Sequence, residues 1–171
     1  MLETCTIRRL TEADLPMVLG WRNHPDIRRY MFTQHEIKLK EHQQWFARVN
    51  LDPTRCLLIV QEAEQPLGYV QFSNVAEAGV ADWGFYAAPN APSGSGKKLG
   101  LMALSHGFDV LRLHKVCGQA IDTNLHSISF HERLGFTKEG ELREQQCING
   151  EYHTLICYGM LAREWHPTRV L

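Results

Sequence analysis

The chain has 171 residues, 44% of them hydrophobic, enough for one core and too few for two, so residues 1–171 are expected to form a single domain. Eighteen basic residues against nineteen acidic ones leave a net charge of −1, which offers nothing to a nucleic-acid backbone or an anionic membrane surface. The opening MLETCTIRRL lacks the basic-then-apolar layout of a secretion signal and no apolar run reaches spanning length, so a cytoplasmic location is expected.

In chain order, TIRRL alternates as a first strand, and a helix is predicted over about Glu12 to Arg22. Thr11 is its cap, and Asp14 takes the capping-box place that Glu or Gln usually holds. KLKEHQQWFARVN repeats apolar positions at Trp45, Phe46 and Val49 with helical rhythm and stops before Asp52-Pro53, giving a second helix. Two strands over 55–62 and 67–75 form a hairpin around a turn containing Gln65-Pro66. VADWGFYAAP is a further strand ending at Pro89, and a helix from about Lys97 to Leu113 follows, with Leu99, Met102, Ala103 and Leu113 as core positions. KVCGQAID is again a strand, HSISFHERLGF a short helix stopped by Gly135, and ELREQQCINGEYHTLICYGML two strands around an Asn149-Gly150 turn. This order predicts a mixed α/β (α+β) domain built on one sheet.

Cys5, Cys56, Cys117, Cys147 and Cys157 form no CxxC pair and fall in strands or at their edges, so buried reduced thiols are expected. His126 and His131 stand five apart, unsuited to a helical metal pair, and no metal site is expected.

APNAPSGSGKKLGLMAL puts small residues where a helix begins. Helix-start amides lack intrahelical partners and carry partial positive charge, so Ser93, Gly94, Ser95 and Gly96 could let them close around a phosphate. The loop is no Walker motif, since Gly96-Lys97 is followed by Lys98 and no glycine stands five residues before Gly96. A dinucleotide fingerprint needs three glycines after the first strand of a βαβ unit and an acidic residue closing the second; Asp122 does close the next strand, but this loop follows a strand deep in the chain and the preceding hairpin argues against a doubly wound sheet.

The loop does resemble the Q/R-x-x-G-x-G/A turn of the GCN5-related N-acetyltransferases, with Gly94 and Gly96 in register and Ala91 where Gln or Arg is usual. TNLHSISFHERLGF is similar to that family's second signature through Asn124, Ser127, Glu132, Leu134, Gly135 and Phe136. The resemblance implies the family's fold, a mixed sheet with two splayed parallel strands, and acetyl-CoA as acetyl donor. It implies that Phe85, Tyr86 and Ala87 meet the thioester through a backbone N–H. The donor's pyrophosphate would lie on residues 94–98, including Lys97 and Lys98, with Asn124 and Ser127 also at the donor. His131 stands where the family carries a tyrosine acid and is the expected proton donor to the leaving thiolate. The alternative is a surface histidine without a catalytic task. His42, Asp122 and Glu62 are the candidate bases.

Within that family, RNHP, Met31 and IKLKEHQQWF resemble the acetyltransferases of the pseudaminic acid pathway, which act on the 4-amino group of UDP-4-amino-4,6-dideoxy-N-acetyl-β-L-altrosamine. That likeness implies that Met31, His42 and Trp45 bound the nucleotide, with Arg22 nearby, and that Trp83 and Tyr86 lie near the sugar. The alternatives are a ribosomal-protein or drug N-acetyltransferase, whose WRN-like turn is shared, and a non-catalytic acetyl-CoA-binding module.

Overall fold

The computed structural model describes residues 4–166. Its strands are β1 (Cys5–Arg9), β2 (Cys56–Glu62), β3 (Gln65–Ser73), β4 (Val80–Ala87), β5 (Lys115–Ile121), β6 (Thr137–Ile148) and β7 (Glu151–Leu161). They form one sheet in the order β1-β2-β3-β4-β5-β7-β6. Among the described residues only β4 and β5 run parallel; every other neighbour is antiparallel. The helices are α1 (Leu15–Asn23), α2 (Pro25–Arg28), α3 (Leu39–Val49), α4 (Ser95–Ser105) and α5 (Leu125–Leu134). Among the described residues no helix is long and apolar enough to cross a membrane.

Helices cover both faces, which is why β2 reads as the unbroken apolar run CLLIV. One face buries Leu58, Val60, Val70 and Phe72 under α4 and α5, through Leu99, Ala103, Leu104, Phe130 and Leu134. The opposite face buries Leu57, Ile59 and Tyr69 under α1 and α3, through Leu15, Val18, Trp21, Phe46 and Val49. Each large apolar side chain withdrawn from water contributes about 1.5–3 kcal/mol. Strand β1 is tied to the start of α1 by Arg8, whose Nη1 and Nη2 both donate to the Asp14 carboxylate at 2.8 Å. The same carboxylate accepts from the N–H and Oγ of Thr11 at 2.8 Å, so the cap forms with Asp in the box position. Arg8 beside it lowers the Asp14 pKa to about 2.

Several expectations need correction. Residues 12–14 form a 3-10 turn, and the α-helix begins at Leu15. The β2–β3 turn is Ala63-Glu64, at φ 44° and 68°, while Gln65 and Pro66 belong to β3. The register shift between Val60 and Gln61 lies beside Pro66, which has no N–H to give the ladder. Helix α4 starts two residues before Lys97 and ends in a π turn over His106–Val110. Leu113 is buried but outside the helix, and Met102 is only half-buried. All five thiols are free; Cys5 and Cys56 are buried, Cys117 and Cys157 half-buried, and Cys147 is exposed. The Asn149-Gly150 turn and the left-handed Gly135 that ends α5 are as predicted.

Candidate active site

The sheet forks. β4 and β5 pair over three residues only, Val80–Asp82 against Lys115–Cys117. Beyond that point β4 stays on β3 as far as Ala87, and β5 stays on β7 as far as Ile121. Ala88 N–H donates to Leu67 O at 2.8 Å, so antiparallel alternation turns the amides of Gly84 and Tyr86 toward β3. The amides of Phe85 and Ala87, past the last β4–β5 pair, therefore point into the gap. A cleft of about 1410 Å³ opens there, reaching Phe85, Ala87, Asn124 and Ser127 on one side and Arg22, Met31, His42, Trp45 and Tyr86 on the other.

Strand alternation puts Trp83 and Tyr86, which the resemblance places together near the sugar and which both line the cleft, on opposite faces of the sheet. Trp83 packs on the α4–α5 face with Phe85, Phe130 and Phe136. Tyr86 lies on the α1–α3 face, its ring 5.0 Å from that of Tyr69, and burial raises its pKa. Only Tyr86 thus shares a face with Arg22 and His42.

His131 is 1% exposed and so is not a surface residue. Its ring stacks on Tyr158 at 4.8 Å, and Nδ1 lies 2.8 Å from Ser127 O. Trp83 Nε1–H donates to Nε2 at 3.1 Å. A carbonyl can only accept and an indole N–H can only donate, so the proton sits on Nδ1 and Nε2 is a lone pair. Burial pushes the imidazole pKa down, and the bond to Ser127 offsets only part of that. Neither nitrogen holds a proton free for a departing thiolate, which corrects the expected acid role.

At the glycine loop, Gly94 takes φ 86°, a left-handed turn that a Cβ would strain, and delivers the chain into α4. Ser95 N–H is spent on Pro92 O, and those of Lys97 and Lys98 on Gly94 O. Among the described residues the amides of Gly94 and Gly96 have no acceptor within the chain, which fits a bound phosphate. Ser93 is exposed, Ser95 is buried, and of the loop only Gly96 reaches the cleft wall. Lys98 Nζ is paired with Glu62 on β2, away from the cleft walls, which corrects the expectation of Glu62 as a base. Asn124 Oδ1 accepts from Ser127 N–H at 3.1 Å and caps α5. Asp122 is held by His153 Nδ1 and Thr154 N–H, both at 3.2 Å, outside the cleft walls. Of the three candidate bases only His42 borders the cleft.

The α1–α3 half of the cleft is built by a loop stapled to the end of α1. Asn23 Nδ2 donates to Ile37 O at 2.8 Å and its Oδ1 accepts from Ile37 N–H at 2.9 Å, while Arg22 Nη2 donates to Thr33 O at 3.1 Å. Gln34 Nε2 donates to Met31 O, which fixes the turn carrying Met31. His42 stacks on Trp45 with ring centroids 5.0 Å apart and planes 12° from parallel. Burial, with Arg22 nearby, lowers the His42 pKa and favours the neutral ring. Arg22 Nη1 and His42 Nε2 are buried with no hydrogen-bond partner among the described residues. The nearby acids are engaged elsewhere, Asp26 with Arg29 at 3.4 Å and Glu41 with His35 at 3.0 Å. No cluster of metal-ligating side chains occurs among the described residues. Residues that sequence reasoning missed in the cleft wall include Gln71, Asp82 and Gly118. The period-2 pattern of β4 was the signal for Asp82, on the same face as Tyr86.

Residues 5–137 match the acetyltransferase (GNAT) domain family. The acetyltransferase PseH of Campylobacter jejuni is 25% identical over 137 residues, covering 80% of this chain and 85% of that protein. The spermidine N(1)-acetyltransferase of Vibrio cholerae is 27% identical over 150 residues, covering 86% and 87%. The crystal structure of the V. cholerae spermidine N-acetyltransferase in complex with CoA and spermine superposes with a TM-score of 0.87 over 94% of this chain and 97% of that one, at 24% identity, a likeness of fold. With the forked sheet and the glycine loop opening α4, these matches place the chain in the GNAT acetyltransferase family, as an N-acetyltransferase that draws its acetyl group from acetyl-CoA.

Proposed function

We propose that the acceptor is a UDP-linked 4-amino-4,6-dideoxy sugar of the kind used in pseudaminic acid synthesis. The observation that carries this reading is the pair of buried nitrogens unpartnered among the described residues in one wall of the cleft, Arg22 Nη1 and His42 Nε2, the latter a donor in the Nε2–H tautomer. Leaving such groups unpaired costs about 1–3 kcal/mol each, more for the charged one, and a diphosphate would satisfy both. The His42–Trp45 stack beside them offers a flat surface, and Met31 a polarisable one, for a uracil. A polyamine such as spermidine would instead bring positive charge against a guanidinium that, among the described residues, has no acid in hydrogen-bonding reach, the cleft's Asp26 and Glu41 being paired elsewhere. That argues against the activity named for the V. cholerae relative, and the resemblance to the pseudaminic acid branch supports the sugar nucleotide.

On the donor side, acetyl-CoA supplies an activated acetyl thioester. The amides of Gly94 and Gly96 at the start of α4 hold its pyrophosphate, and the N–H groups of Phe85 and Ala87 receive the carbonyl oxygen as charge builds on it. Asn124 and Ser127 border the same channel. With His131 committed to Trp83 and Ser127, the proton taken up by the thiolate is the one given up by the attacking amine.

The test sets the UDP-4-amino-sugar against spermidine, a ribosomal-protein N-terminal peptide and an aminoglycoside, following thiol release. The sugar nucleotide should turn over fastest, its free amino-sugar poorly, and excess UDP should compete with it while leaving acetyl-CoA binding intact. Faster turnover of any competitor overturns the assignment.

A further inference from the structure

Trp83 and Gly118 are the first residues past the last β4–β5 pair, Asp82 with Cys117. They stand in the crotch of the fork. A Cβ on Gly118 would fall on His131 Nε2 and lie 2.6 Å from Trp83 Nε1, so the Trp83–His131 hydrogen bond fills the volume that any larger residue at 118 would need. His131 joins three elements there. It belongs to α5, accepts from Trp83 on β4, and lies flat on Tyr158 of β7, with interplanar angle 6°. Phe130 and Phe136 pack on Trp83 as stacked rings at 6.2 and 5.1 Å and hold the indole from the α4–α5 side.

We infer that His131 is a positioning residue: its Nε2 is the acceptor that fixes the Trp83 indole in the fork and thereby sets the course of β4 from Trp83 to Ala87, whose outward amides face the donor. The residue enters the reaction through backbone geometry and exchanges no proton with substrate. Simple core filling would need only a ring of that volume, which Phe supplies. The positioning role needs an acceptor for Trp83 and a donor for Ser127 O. Gln can supply both, with Oε1 toward the indole and Nε2 toward the carbonyl.

The experiment uses the full chain with acetyl-CoA as the probe, so an error in the assigned acceptor leaves its readouts untouched. Nitrogen NMR of the His131 ring at pH 7 should show the proton on Nδ1, and the Trp83 indole N–H should exchange slowly with solvent. By calorimetry His131→Gln should bind acetyl-CoA within about twofold of wild type. His131→Phe and Trp83→Phe should each weaken it about tenfold, and the double variant no further than His131→Phe alone, since the Trp83–His131 bond is lost in all three. A resting proton on Nε2 would overturn the inference, as would wild-type acetyl-CoA affinity in a folded His131→Phe protein. Should His131→Phe not fold, the acetyl-CoA affinity of Trp83→Phe and the wild-type tautomer decide between the same two outcomes.

Discussion

His131 and His42 are both buried histidines, 1% and 5% exposed, and both carry a lowered pKa because burial disfavours the charged ring. They sit on opposite faces of the same sheet. His131 has a partner for each nitrogen and aromatic rings around it; His42 has one stacked ring and a buried Nε2 that faces no partner among the described residues. A fully satisfied buried polar group is part of the scaffold, whereas an unsatisfied one next to a cleft marks where something else must bind. Burial and residue type are alike at the two positions, so the partners alone distinguish them.

That contrast can be broken most sharply at Arg22, which shares the unsatisfied face. Arg22→Ala should raise KM for the UDP-amino-sugar by roughly 10- to 150-fold, the value of one charge-assisted hydrogen bond, and leave the acetyl-CoA dissociation constant nearly unchanged. An equal loss for both substrates would mean that the two halves of the cleft are not separate. A pair of alanine substitutions compares the faces through their glycines. At Gly118 the new Cβ meets two buried rings held by a hydrogen bond and should cost about 1–3 kcal/mol, whereas at Gly84 it meets only the Gln71 amide, at 3.2 Å, and should cost less. Thermal unfolding checks the order, at about 2–4 °C per kcal/mol for a chain of this size.

The smallest effect is in acid. His42, His106 and His131 all have pKa values held below the ordinary 6.5 by burial, so the unfolded chain takes up protons before the folded one does. Stability from these groups is complete above about pH 6.5 and is lost as pH falls below it. Asp14 acts in a lower window: its contribution, about 1–2 kcal/mol after discounting for the partly exposed Arg8, is present above about pH 4 and lost as pH approaches about 2. Melting temperatures measured from pH 7.5 to 5.5 should fall, and fall less in His131→Gln. An equal fall in that variant would remove His131 from the set.

Elements with strong periodicity were legible from the residues: α3 from Trp45, Phe46 and Val49, α5 from its Gly135 stop, and the last hairpin from Asn149-Gly150. The Ala63-Glu64 turn left no trace because neither residue advertises a positive φ, while Pro66 next to it imitates a turn residue. Four-residue α2 is too short for a period. At the site, the glycine loop and the Arg22–Asn23 turn could be found by motif. The Lys98–Glu62 pairing could not, since it joins positions 36 apart through the sheet. The partition of Trp83 from Tyr86 was within reach, because three residues along a strand always face opposite ways. The role of His131 depended on Trp83 Nε1 and Ser127 O, neither of which any local spacing connects to it.

The alternation of amides along β4 has a consequence for how the free protein meets water. Gly84 and Tyr86 are locked to β3, while Phe85 and Ala87, their immediate neighbours, hold hydrogens that no strand claims past the fork. A single strand is thus slow and fast to trade protons with solvent at every other residue. The fast positions are the ones the donor would cover, so β4 carries its own residue-by-residue footprint of occupancy.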